Sequence, residues 1–407
     1  MRRGIVIATV LAALAIPAAA NAAQRYVTTN GTGSACTQPT PCSIETGINN
    51  AGSYDEVIIA AGTYTTSTAL SNGATGLYIH GANPFEPPLI KSSANNGVYF
   101  NGYSDDVADL RIDHTGIYVA AVLFASSATF TRIEVHSSSP AGACDSGPEV
   151  VLTDVLCVAS GDTAFAIRDS FTGAAATSHF RNLTAIATGE NSVGLDAGAG
   201  SGTTNGIDAK NVILQGGAAD VRVSTSSPGA TVGVSFANSN FRTLDASGNV
   251  IVSPPGSGTN QTKEPKFDSK KFYTEDPRSP TVDAGITDSY TGSLDFLGHP
   301  RPQGAAMDIG AAELVPDTTS PNTTITKGPK KKSKSPKATF KLKSNEPGST
   351  FRCRLDGGQV RKCKAKLKLK RLKPGRHVLQ VAAVDVSGNE DTSAAVYKWK
   401  VARTPNR

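Results

Sequence analysis

Charged side chains alternate with apolar ones in two neighbouring segments of the chain. Asp109, Arg111 and Asp113 form the first set, and Arg132 and Glu134 form the second. In extended strands, residues two positions apart point the same way, so these charges would share the outer face of a sheet. Clustered carboxylates can hold Ca²⁺, a basic residue can remove a proton beside a carboxylate, and paired carboxylates can hydrolyse a glycosidic bond. The pattern makes these five residues candidates for cation binding, proton transfer or hydrolysis of a glycosidic bond.

The same charges also fit a solvated outer face with ion pairs between neighbouring strands. Neighbouring strands lie about 4.8 Å apart, which would let Asp113 and Glu134 approach each other. Arg132 next to Glu134, however, indicates mutual neutralisation, and no dense carboxylate cluster recurs along the chain. The histidines lie singly and predict no metal site. We therefore expect no resident cofactor, with Ca²⁺ as the one ion that the acidic side chains would suit.

Short β-type runs, each followed by a turn residue, recur between Gly76 and Val252. The equivalent apolar residues are Ile112, Ile133, Val155, Leu183 and Val212, at steps of 21, 22, 28 and 29. A period in the twenties without a helical pattern predicts an all-β stacked solenoid, which offers one long face for a long ligand. Asn182 and Asn211 precede strands in successive coils, so we expect a hydrogen-bonded asparagine ladder at a turn.

The N-terminus has the features of a secretory signal peptide over residues 1–22. Two arginines precede an apolar stretch, and Ala20 to Ala22 has the small residues of a cleavage site. The apolar stretch is too short for a membrane anchor, and no second run of spanning length follows. Six cysteines form three close pairs, which are Cys36/Cys42, Cys144/Cys157 and Cys353/Cys363. Local pairing and an even count predict three disulfides in a secreted, extracellular protein.

The segment YVTTNGTGSACTQPTPCSIETGINNA, followed by DEVIIAAGTYT, resembles the opening of right-handed parallel β-helix proteins of the pectin-lyase-like superfamily. The resemblance implies a right-handed parallel β-helix over residues 23–315, with a helical cap near residues 43–51. Asp308, Gly310 and Glu313 belong to the stretch DIGAAE, which is similar to the terminal motif of choice-of-anchor β-helices and implies a structural, closing role. The superfamily contains enzymes as well as non-catalytic proteins, so the fold alone does not decide between them.

Charge divides the chain into an acidic and a basic part. Residues 316–407 contain 23 Lys and Arg against 6 Asp and Glu, whereas the rest contains 17 basic and 28 acidic residues. The polar stretch from Pro316 to Pro321 is bounded by prolines and predicts a linker over residues 316–325. Beyond it, short alternating strands predict a small antiparallel β-sandwich over residues 326–403. The sequence there, with SNEPGSTFRCRLDGG and VAAVDVSGNEDTSA, resembles the immunoglobulin-like modules of exported actinobacterial proteins.

Lysines are concentrated on the predicted strands of this basic domain, at Lys341, Lys343, Lys364, Lys366, Lys368 and Lys370. Like charges in a row favour an anionic partner, such as a cell-wall polymer or an acidic polysaccharide, although lysines also protect edge strands from aggregation. No motif specific for nucleic acid accompanies them. Asp385, Asn389 and Asp391 fit a turn better than a Ca²⁺ loop, because the spacing of a twelve-residue loop is absent.

These features predict an exported surface or extracellular protein without catalytic activity. It would engage polysaccharide or cell-wall polymer through the β-helix face and the basic domain, since the missing carboxylate cluster favours binding over catalysis. The alternative is a pectate-lyase-like lyase or a glycoside hydrolase that acts on acidic polysaccharide. A third interpretation is a structural spacer that holds the basic domain away from the wall. The sequence leaves the glycan, the mode of attachment and the oligomeric state open.

Overall fold

The computed structural model describes residues 22–95, 97–100, 102–123, 127–171, 175–200, 202–268 and 273–403. The signal peptide expected over residues 1–22 thus lies outside the described residues except for its last position. The described chain consists of strands and turns with one short helix, α1 (Ile44–Asn49). Ser43 caps α1 by accepting a hydrogen bond from the Thr46 amide. The helix buries Ile44 and Ile48 against the first coil, where the sequence predicts an N-terminal cap.

Two parallel sheets form the solenoid, and their strands are numbered in chain order. The long sheet contains β1 (Gln24–Val27), β2 (Glu56–Ile59), β3 (Thr63–Thr66), β5 (Tyr78–Gly81), β6 (Leu89–Ser92), β8 (Asp106–His114), β10 (Thr129–Ser137), β12 (Val151–Ala159), β14 (Ala176–Ala187), β16 (Thr204–Lys210), β17 (Ile213–Gln215), β19 (Thr231–Ala237) and β21 (Val250–Val252). The short sheet contains β4 (Leu70–Asn72), β7 (Val98–Phe100), β9 (Ala121–Leu123), β11 (Gly142–Ser146), β13 (Phe165–Phe171), β15 (Val193–Ala199), β18 (Ala219–Thr225) and β20 (Leu244–Ser247). Strands pair in parallel with strands of neighbouring coils, which confirms the predicted all-β parallel β-helix.

The long sheet bends at a corner where one residue of each successive coil has a left-handed backbone. The residues of this corner column are Asp109, Arg132, Asp154, Asn182 and Asn211, with φ between 51° and 59°. Asparagine and aspartate adopt this conformation more readily than other side chains. Asn211 Nδ2 donates to Asn182 Oδ1 at 2.9 Å, and Asn182 Nδ2 donates to Asp154 Oδ1 at 3.0 Å. The expected asparagine ladder is therefore present, and Asp154 extends it.

Apolar side chains that follow the corner stack inside the solenoid. Ile133 pairs with Leu110, Val155 pairs with Leu183, and all four lack solvent exposure. Full burial of such a side chain contributes about 1.5–3 kcal/mol. The expected equivalence of Ile112 with Ile133 is wrong by two residues, because the partner of Ile133 is Leu110. Leu110 and Ile112 both point inward, so hydrophobicity alone does not show which of the two lies opposite Ile133.

The chain beyond the coils returns along their side. Residues 283–313, the flank segment, bond to the solenoid: the Ile286 amide donates to Asn211 Oδ1, and the Ala311 amide donates to Thr184 Oγ1, both at 2.9 Å. A small second core contains Leu156 and Val158 of the solenoid with Phe296, Ala311 and Ala312. The motif expected to close the solenoid thus covers its side, where it buries apolar residues that point outward from β12.

Antiparallel sheets follow in the C-terminal part. One contains β22 (Thr323–Lys327), β24 (Ala338–Ser344) and β27 (Lys366–Leu369). The other contains β23 (Lys332–Ser333), β25 (Thr350–Leu355), β26 (Arg361–Cys363), β28 (Gly375–Val384) and β29 (Ala395–Val401), with only β23 running parallel to its neighbour. Phe340 and Trp399 pack between the two sheets with ring centroids 5.3 Å apart, so the sheets share one core.

Three disulfides connect the cysteines in the expected pairs, which are Cys36–Cys42, Cys144–Cys157 and Cys353–Cys363. The second joins β11 to β12 inside the solenoid, and both of its sulfur-bearing side chains lack exposure. The third joins β25 to β26. Within the described residues, no helix has the length and apolar character needed to cross a membrane.

Candidate functional site

Asp109 and Arg132 lie at the corner of the solenoid, which corrects the expectation that they stand on a strand face. Both have a left-handed backbone, with φ of 58° and 54°. Arg132 Nε donates to Asp109 Oδ1 at 2.5 Å, and its Nη2 donates to Asp109 Oδ2 at 2.9 Å. A two-pronged pair of this kind ties both oxygens of the carboxylate to the arginine. The pair continues the corner column toward the N-terminus. Both carboxylate oxygens of Asp109 already accept hydrogen bonds from Arg132.

Glu134 is held between Arg111 and His136 on the outer face that follows the corner. Arg111 Nε donates to Glu134 Oε2 at 2.7 Å, and His136 Nε2 lies 2.8 Å from Glu134 Oε1. Burial acts to raise the pKa of Glu134, but His136 and Arg111 outweigh it and hold that pKa below its usual value. In the register of β8 and β10, Arg111 stands opposite Glu134, and Asp113 stands opposite His136. In place of the expected approach to Asp113, Glu134 contacts Arg111 and His136.

The short sheet carries a charged column that the sequence analysis missed. In register across β11, β13, β15, β18 and β20 lie Asp145, Arg168, Asp196, Arg222 and Asp245. Arg168 bonds both oxygens of Asp145, and Arg222 Nε lies 3.3 Å from Asp245 Oδ2. Burial raises the pKa of Asp196, although the flanking arginines act against it. Alternation of Asp and Arg at the coil period is the signal that would have revealed this column.

The flank segment is held together by buried carboxylates. Arg301 Nη1 donates to Glu313 Oε1 at 2.7 Å, and its Nη2 donates to the Gly310 carbonyl at 2.9 Å. The Asp308 amide donates to Glu313 Oε1 at 2.8 Å, and the Leu314 amide donates to Asp308 Oδ2 at 2.6 Å. Since their partners are mainly backbone groups, Asp308 and Glu313 shape an irregular chain, which is the structural role that the resemblance implies.

The three-stranded sheet exposes a layer of lysines, which we call the lysine sheet. Lys341 stands between Lys327 and Lys366 in the registers of β22, β24 and β27. The exposed lysines of this layer are Lys327, Lys341, Lys343, Lys364, Lys366, Lys368 and Lys370. Within the described part of the chain, none of the seven forms an ion pair with an acidic side chain. The sequence-predicted lysines are therefore brought together on one surface.

Acidic residues of the C-terminal domain come together in a set different from the one considered in the sequence. Asn389 Nδ2 donates to Asp385 Oδ2 at 2.9 Å, while Asp391 accepts the Thr323 amide at 2.7 Å. Ligand atoms of Asp317, Glu346 and Asp385 instead lie within 4.8 Å of one another. Burial and the two neighbouring aspartates raise the pKa of Glu346. Oxygen ligands of this kind suit Ca²⁺, the ion named from the sequence.

No known protein family matches the sequence, and no curated protein matches it. Among solved structures, the chain is similar to the A-module of a mannuronan C-5 epimerase from Azotobacter vinelandii. The two are 14% identical, the match covers 54% of this chain and 94% of the module, and the TM-score is 0.24.

Proposed function

We propose that this is an exported, non-catalytic protein that engages polysaccharide or anionic cell-wall polymer. The observation that carries the proposal is the lysine sheet, where seven ammonium groups lack an acidic partner among the described residues. Like charges directly opposite each other on neighbouring strands destabilise a sheet. An anionic polymer laid over the sheet would relieve that repulsion at many points together.

The solenoid provides the second half of the proposal. Two of its predicted acids, Asp109 and Glu134, are paired with bases, so among the described residues these two do not form a free pair of carboxylates for catalysis. Three disulfides suit an oxidising extracellular compartment, where such a protein would meet polysaccharide and wall polymers. The solenoid then both contacts glycan and holds the basic domain near its anionic partner.

The test is binding of the full chain to immobilised poly(glycerol phosphate) while sodium chloride is raised. We expect affinity to fall steeply with salt, because exposed charge interactions are screened. Lys341→Gln/Lys366→Gln should lose at least fivefold in affinity at low salt. Lys91→Gln/Lys263→Gln removes two exposed charges from the other part of the chain and serves as the matched control. Equal binding by both double variants would remove the lysine sheet from the proposal.

The charged column of the short sheet supports a second candidate, a lyase or glycoside hydrolase acting on acidic polysaccharide. Asp196 lies between Arg168 and Arg222, and a carboxyl group with a raised pKa next to arginines suits proton transfer beside a bound uronate. Incubation with polygalacturonate, with and without Ca²⁺, should then release unsaturated or reducing ends. Release that disappears in Asp196→Asn would favour this candidate, and its absence would favour the binding protein.

A further inference from the structure

An open groove runs over the long sheet on the face that precedes the corner. Two adjoining hollows of about 400 Å³ and 410 Å³ share Thr177 and Gly206. In register across β14, β16, β19 and β21 lie Thr177, Gly206, Gly233 and Ile251, which form the floor. With strands about 4.8 Å apart, four strands give the groove a length of about 14 Å along the solenoid axis.

The two glycines at the centre of this floor differ in what explains them. A Cβ atom on Gly206 would lie 2.7 Å from Thr177 Oγ1, so packing favours glycine there, whereas nothing inside the chain explains Gly233. Neither Gly206 nor Gly233 has a positive φ, so the backbone there suits any residue. A Cβ atom on Gly233 would meet nothing within 4 Å, so packing does not require its absence either. Glycine inside a strand is less stable than alanine by about 0.5–1 kcal/mol. A glycine in such a place is typical of a site where a ligand lies close to the backbone.

Glu149 lines one of the two hollows, and the other ionised groups beside the groove neutralise one another. Two residues further along these strands, on the same outer face, lie His179, Asp208 and Ser235. Two residues beyond those lie Arg181 and Lys210. Arg181 lies 2.6 Å from Asp208, and Lys210 lies 2.9 Å from Asp288. Hydroxyl groups supply the remaining polar surface. Because these charges are paired, Glu149 is acidic and residues 1–315 are acidic in sum, a polyanion gains little here, whereas an uncharged ligand rich in hydroxyls is complementary.

An aromatic ring lies beside the β14 end of the groove. The ring of Tyr290, on the flank segment, stacks on His179 with centroids 4.3 Å apart, and His179 Nδ1 lies 3.3 Å from Asp208 at the groove. Tyr290 remains 40% exposed. The C–H face of a sugar ring is apolar and flat, so it packs on an aromatic side chain while its hydroxyls bond to groups such as Asp208 and Ser235.

We infer that this groove binds a segment of an uncharged glycan, with the chain lying over Gly206 and Gly233 and a terminal ring near Tyr290. The inference rests on one half of the proposed function, the contact between solenoid and polysaccharide. It assigns that contact to the face before the corner and separates it from the lysine sheet, which takes the anionic polymer.

The test is calorimetric titration of the full chain with linear hexasaccharides of glucose, mannose and N-acetylglucosamine, and with hexagalacturonate. We expect one neutral hexasaccharide to bind with an affinity that 0.5 M sodium chloride leaves unchanged, and hexagalacturonate to bind at least tenfold more weakly. Gly233→Phe should weaken the neutral ligand at least tenfold by filling the floor. Gly198→Phe is the matched control, since a Cβ there makes only ordinary contacts on the short sheet.

Absence of binding by all three neutral sugars, or equal affinity of the two glycine variants, would overturn the inference. Thermal unfolding of both variants shows that each is folded before its affinity is compared. Binding to poly(glycerol phosphate) is measured on the same proteins and separates the two ideas. If Gly233→Phe keeps polyanion binding, a failed glycan titration removes the groove alone. If the lysine variants keep polyanion binding while the groove titration succeeds, only the lysine sheet is removed.

Discussion

Arg301 of the flank segment and Asp154 of the corner column meet inside the protein, with Nε 2.9 Å from Oδ1 and neither side chain exposed. Burial raises the pKa of Asp154 to about 7, although Arg301 acts against it. Arg301→Met would leave buried Asp154 and Glu313 without their cation. We expect a loss of about 3–5 kcal/mol in the free energy of unfolding, measured by urea denaturation. Arg278→Met removes an exposed arginine and should change little. A similar effect for both variants would contradict a buried ion pair.

Asn182 connects two members of the corner column and has a left-handed backbone. Asn182→Ala removes both bonds and places an ordinary side chain at φ 51°, so we expect a loss of about 2–4 kcal/mol in unfolding free energy. Asn182→Gly removes only the bonds and should lose about 1 kcal/mol less. Asn191→Ala, at an exposed position, is the control. Equal stability of the alanine and glycine variants would show that the backbone conformation does not contribute.

Glu275 gives the protein a pH dependence in the neutral range. Burial raises the pKa of Glu275 to about 8 from an ordinary value of 4.5, while Thr281 Oγ1 donates to its carboxyl at 2.7 Å. The folded protein therefore holds a proton between these two values that the unfolded chain releases, and stability must fall as pH rises from about 4.5 to 8. Glu275→Gln should flatten this slope in denaturation measured between pH 5 and pH 8.5. Glu86→Gln, at an exposed site, should leave it unchanged; an unaltered slope in Glu275→Gln would contradict the assignment.

Lys341 lies directly between two other lysines, so its charge destabilises the domain in the absence of a ligand. Lys341→Thr removes the repulsion and keeps a good strand residue, and we expect a gain of about 0.2–1 kcal/mol in unfolding free energy at low salt. The gain should shrink at high salt because screening weakens the repulsion. Lys398→Thr, opposite Val378, is the control without a lysine partner in that register. A gain of the same size in both would assign the effect to strand propensity alone.

Hydrophobic periodicity was sufficient to predict the solenoid, since Ile133, Val155 and Leu183 are equivalent in the structure as expected. It was not sufficient to predict which charges meet. Coil lengths vary, and a shift of two residues at Ile112 preserves every inward position while it changes the partner of Glu134. Only the left-handed residue at Asp109 fixes that register, and an aspartate gives a weaker signal for this conformation than an asparagine.

The path of the flank segment along the solenoid could not be predicted, for a different reason. Its shape comes from carboxylates that accept backbone amides, such as Asp308 and Glu313, and such contacts leave no periodic pattern. The groove depends on the absence of side chains at Gly206 and Gly233. In a sequence, a glycine inside a strand indicates only a less stable strand, so it does not reveal a groove. For the lysines the sequence is more informative, because strict alternation on a strand determines which side of the sheet they occupy.

The distance in sequence between the flank segment and its docking residues sets an order for folding. Ala311 bonds to Thr184 over 127 positions, and Tyr290 accepts a bond from Thr153 over 137 positions. Coils can form from contacts only one repeat apart, whereas the segment must close loops of more than a hundred residues, which is slower. Until it docks, Leu156 and Val158 face solvent beside the other outward residues of their strand. A chain that emerges N-terminus first therefore passes through a stage with an open apolar flank, and that stage is where aggregation or capture by a chaperone would occur.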